Sequence, residues 1–420
     1  MRPDGLRFAP PPLDRESLPA LRWLLLRAFG PSAPPGPPLP PEEAERAADL
    51  ARRLGIGSRI AGRAGRAALD RELGGAAADL VARFRATAAA GLRLEAGIAE
   101  IARVAAGSGI PIAFLKYAAL ELSGALSPGV RDASDLDVLA PEGREEELRD
   151  ALAEAGFSIC PGPGYEHQLA PQVHSRFGAV EVHRMVLGVR PRGRSGDRRS
   201  ATLEILHGEG LLLPCPRLAG TVLLPAKDVL AAHAAVHGLG QHGFEPSAYP
   251  ALRTFADLID LGWGGPAGRQ CAERIAPWLE EDLSGTELAA LADLAADLAA
   301  GTASPESDSP SSRLLRHALA GRLDPAYAAS LKLTLFAPRP SERRPAGRKL
   351  AALLSALWPS AVELEAIYGR SANRWAGLGR RLFRPFDLLR RAARAAAGAG
   401  EIRRRRRPDR AGRERPKGEG

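Results

Sequence analysis

Cysteine is scarce in this chain and scattered where it occurs: Cys160, Cys215 and Cys271 form no CxxC pair. That spacing excludes a disulfide framework and a cysteine-based structural zinc. It fits a reducing compartment, and the cytoplasm is the expected location. Long apolar runs are missing as well. The most apolar stretch near the start, residues 21–29, is interrupted by Arg22 and Arg27. Nothing approaches the roughly 18 uninterrupted apolar residues of a membrane-spanning helix. The opening residues 1–5 show no positive region followed by an apolar run, so no secretory signal is expected. Internal repeats are not visible either.

What is present is an ordinary globular composition, 45% hydrophobic and 25% charged, over 420 residues. That length suggests two or three domains and a sizeable core. The net charge of +9 is unevenly placed. Residues 380–420 hold 15 Lys or Arg against 5 Asp or Glu, whereas residues 1–379 hold 43 against 44. The body is neutral and the tail basic, so weak polyanion binding belongs to the tail. The arginine run 403–407 suits nucleic acid or an anionic membrane, and equally a plain solvated tail. Just before it, Trp375, Leu378, Leu382, Phe386 and Leu389 follow helical spacing among arginines, with Pro385 as a kink or break.

Periodicity divides the chain. The proline-rich stretch 31–41 cannot be helical, because proline removes donors and clashes with the preceding turn. Residues 42–108 are rich in Ala, Leu, Arg and Glu and show helical spacing, for example at Leu80, Val81, Phe84, Leu92, Leu94, Ile98 and Ile101. We expect an N-terminal helical region over 1–108. An α/β core follows over 109–222, with strands at 110–115, 136–139 and 179–187 and helices from Ala118 and over 144–155, the latter closed by Gly156. A C-terminal helical region over 223–394 and a disordered basic tail over 395–420 complete the reading. The expected fold class is α+β: a small mixed sheet flanked by helices at both ends.

Chemistry concentrates on the second strand. Strand side chains alternate faces, so Asp135 and Asp137 point the same way while Leu136 and Val138 face the core. Two carboxylates on one face suit a hard divalent cation such as Mg²⁺, and equally a solvated edge. Glu181 on the third strand, flanked by Val180 and Val182, can complete a three-carboxylate group if the strands are neighbours, and His183 shares its face. Lys116 ends the first strand just before a helix, a natural phosphate seat. Arg131 and Ser134 flank the acidic strand and can hold a phosphate. His233 and His237 share a helical face, but without the glutamate of a zinc-protease motif they read as lining or structural residues.

The ordered set Leu115-Lys116-Tyr117, Arg131, Asp135-Leu136-Asp137 and Glu181-Val182-His183 resembles the uncharacterised nucleotidyltransferase family of the polymerase-β-like superfamily. The segments 224–230 and 253–258, with His233 and His237, resemble that family's helical region, and 357–360 and 367–369 its C-terminal part. The resemblance implies transfer of a nucleoside monophosphate from an NTP to a hydroxyl or amine acceptor, with release of pyrophosphate. It implies one or two Mg²⁺ at Asp135, Asp137 and Glu181, with Lys116, Arg131, Ser134 and His183 around the nucleotide. One position departs from the family pattern: Tyr117 stands where a glycine normally follows the lysine. Glycine permits close backbone approach to a phosphate, so the substitution opens a second reading, an idle nucleotidyltransferase fold kept as a binding or regulatory module.

Overall fold

The computed structural model describes residues 12–32, 36–160, 167–191, 200–218, 222–241, 251–279 and 283–324, together with Pro10 and Tyr327. The chain forms two compact units, Met1–Arg322 and Leu323–Gly420. The expected basic tail, the helical spacing around Trp375 and the segments 357–360 and 367–369 lie outside the described residues. No described helix is long and apolar enough to cross a membrane.

Five helices open the first unit: α1 Leu18–Phe29, α2 Pro41–Arg53, α3 Gly57–Ala64, α4 Arg66–Leu73 and the 31-residue α5 Ala77–Gly107. In α1, Leu21, Leu24, Leu25, Ala28 and Phe29 recur at helical spacing and are buried, so one stripe faces the core. The buried Glu72 of α4 accepts from Trp23 Nε1, the Arg27 guanidinium and the Gly36 backbone, which fixes α1 and part of the proline-rich connector. Along α5, Leu80, Leu94, Ile98 and Ile101 are buried and Leu92 is exposed. Leu92 falls between two buried positions, Thr87 and Leu94, on a helix that is covered on only one side.

A seven-stranded mixed sheet follows, in the order β3-β4-β5-β2-β1-β7-β6. Its strands are β1 Ile112–Phe114, β2 Asp135–Leu139, β3 Ser158–Ile159, β4 Gln172–His174, β5 Gly178–His183, β6 Leu212–Pro214 and β7 Val222–Pro225. The helices α6 Lys116–Leu122, α7 Glu145–Glu154 and α8 Leu203–Gly208 connect them. The three expected strands are β1, β2 and β5. The third was expected to run to residue 187, but β5 ends at His183, and beyond it only an isolated bridge joins Val186 to Ala201. The other four strands carry little pattern: β3 has two residues, β4 reads Gln-Val-His, and β6 and β7 each end in proline.

At the centre, β2 runs parallel to β5 and antiparallel to β1. Leu136, Val138, Val180 and Val182 are all buried, and α5 closes over that face. A Cβ on Gly97 of α5 would lie 2.9 Å from Leu136 Cδ1 and 3.2 Å from Phe177 Cβ. Only glycine lets the helix backbone come that close. The opposite face carries Asp135, Asp137, Glu181 and His183.

The remaining described helices are α9 Lys227–Ala235, α10 Ala251–Leu258, α11 Pro266–Leu279, α12 Gly285–Ala300 and α13 Pro310–Leu323. Wide π-type turns extend α9 over Val236–Gln241 and α10 over Ile259–Trp263. α12 begins with a full capping box between Ser284 and Glu287 and stops at left-handed Gly301. α9 and α10 press together at Gly238, where a Cβ would fall 2.1 Å from Thr254 Oγ1. The class is therefore α+β, a mixed sheet with helices before and after it.

Candidate active site

The register of two parallel strands builds the site. Asp137 of β2 stands opposite Glu181 of β5, and Leu139 opposite His183. Because β1 is antiparallel to β2, the ladder continues one residue past the strand, with Leu115 N–H donating to the Asp137 carbonyl at 2.9 Å. Lys116 is thereby delivered beside Asp137, and its Nζ lies 2.7 Å from Asp137 Oδ1. Lys116 adopts φ +45°, which no other non-glycine residue does among those described. The left-handed region costs a side chain on the order of 1–2 kcal/mol, so packing must hold it there.

Asp137 is 2% exposed, and the same Oδ1 also lies 2.9 Å from His183 Nε2. Glu181 Oε2 is 3.8 Å from that nitrogen. Ligand atoms of Asp137, Glu181 and His183 all fall within 4.8 Å of one another, a set that can hold a metal ion. Asp135 sits at the start of β2, half-buried, and receives a 3.1 Å hydrogen bond from Ser134 Oγ. It lies outside the tight set, and His183 stands in it instead. Oxygen donors suit a hard divalent cation, and an added imidazole also suits Mn²⁺ or Zn²⁺. The donor set therefore fits a divalent cation.

The electrostatics follow from burial. Burial alone would raise the Asp137 carboxyl, but the Lys116 charge and the His183 hydrogen bond overcome it and hold the group far below the carboxylate range. Burial opposes the Lys116 charge, and Asp137 more than offsets that, so the ammonium titrates above its usual value. Glu181 is raised, first by burial and then by the nearby Asp137 charge. His233 is pushed down to about 3, mainly by burial and then by the Lys116 charge.

Lys116 also lines a small cleft, walled by Leu120, Arg131, Leu230, His233 and Asp257 among others. Arg131 is bound on its face by Asp257 of α10, at 2.7 Å through Nε and 3.0 Å through Nη2. A phosphate would have to share Arg131 with that carboxylate. The loop before β2 is fixed by Asp132, which accepts from Arg83 at 2.7 Å and from Thr87 and Ser58. Tyr117 turns away from the cleft: its hydroxyl faces Gly91 of α5, 3.2 Å from where a Cβ would stand, and Arg131 lies 5.8 Å over its ring. The obstruction expected of a tyrosine at this turn is absent from the geometry. Burial lifts the Tyr117 hydroxyl to about 12.

His233 and His237 face each other with ring centroids 5.9 Å apart, and His237 Nδ1 pairs with Gln241 at 3.1 Å. They line the cleft and belong to no described metal-capable group. Sequence reasoning missed Asp257 as the partner of Arg131. A lone acid on an amphipathic helix gives no hint of a partner 126 residues away.

A mixed sheet that presents carboxylates from adjacent parallel strands beside a half-buried lysine places the molecule among α+β proteins with an acidic sheet face. The sequence model of one family, described as an uncharacterised nucleotidyltransferase, matches residues 40–261. That span covers more than half of the chain and contains all seven strands. The protein belongs to this nucleotidyltransferase family. No curated protein and no solved structure matches it.

Proposed function

We propose that this protein is a Mg²⁺-dependent nucleotidyltransferase that moves a nucleoside monophosphate from an NTP to a hydroxyl or amine acceptor. The observation that carries the reading is the strand register that sets Asp137 against Glu181 with His183 beside them. In this reading Asp137 and Glu181 hold the cation, with His183 at its side and Asp135 at the open end of β2. The cation supplies charge neutralisation at the phosphates and orientation of the triphosphate.

The residues have separate tasks. Lys116 contacts the phosphates from the edge of the cleft. Ser134 orients Asp135 through its hydrogen bond. Glu181 accepts the proton of the attacking group on the carboxylate oxygen that is not on the cation. The acceptor oxygen or nitrogen bonds to the α-phosphorus, the bond to the β-phosphate oxygen breaks, and pyrophosphate leaves. Rate enhancement then comes from positioning and electrostatics. Arg131, already held by Asp257, serves as a rigid wall of the cleft.

The orientation of Tyr117 toward Gly91 supports this reading over an idle binding module, since the side chain does not fill the cleft. The test is a thermal-shift screen of NTPs with and without Mg²⁺. Stabilisation by one nucleotide that needs the metal, and that Asp137→Asn removes, supports the proposal. Nucleotide stabilisation indifferent to Mg²⁺ and to Asp137→Asn would sink it in favour of the binding module.

A further inference from the structure

We propose that Lys116 is the resident counter-ion of the carboxylate group, and that it gives up its place on Asp137 to a divalent cation when nucleotide phosphate draws it into the cleft. This rests on the nucleotidyltransferase reading and adds an order to it: nucleotide and metal load together.

One carboxylate oxygen holds two partners. Asp137 Oδ1 meets Lys116 Nζ at 2.7 Å and His183 Nε2 at 2.9 Å. An oxygen so engaged can take a cation only if one partner withdraws. His183 is the fixed partner. It sits in β5, its carbonyl accepts from Ala140 N–H at 3.0 Å, and it is 3% exposed. Lys116 is the movable one. Its side chain is 20% exposed, ends a long flexible stem, and lines the open cleft.

The charges point the same way. Asp137, Asp135 and Glu181 all act on Lys116, so among the described residues one ammonium serves three carboxylates and leaves them with a net negative charge. A divalent cation suits that group better than a monovalent one, provided the ammonium has somewhere to go. A triphosphate in the cleft offers the place. The left-handed backbone of Lys116 is consistent with this role, because an unfavourable conformation is retained where the side chain must reach. By linkage, nucleotide then raises metal affinity by the same factor as metal raises nucleotide affinity.

The experiment measures Mn²⁺ binding to the full chain by titration calorimetry, with and without a non-hydrolysable NTP analogue. Wild type is compared with Lys116→Met and Lys116→Gly, the second because glycine accepts φ +45° without strain. We expect wild type to bind Mn²⁺ weakly alone and about tenfold more tightly with the analogue, within the usual range of coupling between sites. At least one variant binds Mn²⁺ alone about tenfold more tightly than wild type, and its melting temperature rises further on adding Mn²⁺. Equal or weaker Mn²⁺ binding in both variants, with wild-type binding abolished by Asp137→Asn, overturns the exchange and leaves the metal site standing. No Mn²⁺ binding by any of these proteins, even with the analogue, overturns both the exchange and the metal-dependent reading beneath it.

Discussion

Around α10 two buried arginines each meet a carboxylate through a paired fork, whereas on the β2–β5 face three carboxylates share one lysine among the described residues. Arg131 meets Asp257 through two hydrogen bonds, and Arg59 meets Asp260 through two of 2.8 Å, with its Nε spent on the Ala28 carbonyl at 2.9 Å. Each guanidinium fork faces one carboxylate, which is the geometry that best offsets desolvation. Three residues apart, Asp257 and Asp260 therefore tie one helical segment to the loop before β2 and to α3. On the β2–β5 face, among the described residues, a single ammonium stands among Asp135, Asp137 and Glu181, on a backbone that resists it. Matched pairs fix a shape. An unmatched group is left able to take a further cation.

The comparison breaks most readily at Asp137. Asp137→Asn should lower pyrophosphate release by roughly a thousandfold, the upper range for removing one preorganised electrostatic group. Asp135→Asn, outside the tight set, should lose less in the same assay. A greater loss at Asp135 would move the centre of the site to the start of β2.

Next in size are the clamps. Asp257→Ala leaves Arg131 buried without its carboxylate and should cost about 3–5 kcal/mol in denaturant unfolding. The pair Arg131→Met with Asp257→Leu should recover most of that loss, because neither charge remains to be desolvated. If the double variant is no more stable than Asp257→Ala, the clamp does more than balance charge.

A smaller effect follows from His233. Its folded-state value is lowered to about 3 from an ordinary 6.5, first by burial. Between those values the unfolded chain binds a proton that the folded chain does not. Stability should therefore fall as pH drops below about 6.5, by up to about 1.4 kcal/mol per pH unit. Unfolding curves of His233→Gln should show a correspondingly shallower slope, and an unchanged slope would remove His233 as the cause. Smallest of all, Glu100→Gln at the exposed pair with Arg103 should leave unfolding unchanged within error, since solvent screens such pairs.

Much of the site was legible because it lies in short, patterned segments. The alternation of Asp135 and Asp137 with Leu136 and Val138, and of Glu181 and His183 with Val180 and Val182, sets side-chain faces locally. The buried valines and leucines bear that out. Four strands escaped because they are short, polar or closed by proline, and they gain their identity only from the neighbours they pair with.

Local periodicity and residue chemistry thus determined the α+β class, the acidic strand and the lysine at the strand-to-helix turn. Tertiary structure decided the rest. Parallel pairing of β2 with β5 set Asp137 against Glu181, and α10 took up Arg131. The side chain of Tyr117 went to α5 instead of into the cleft. These outcomes depend on contacts between residues far apart in sequence, where no local pattern carries information and only the burial of apolar surface and the pairing of charge choose among arrangements.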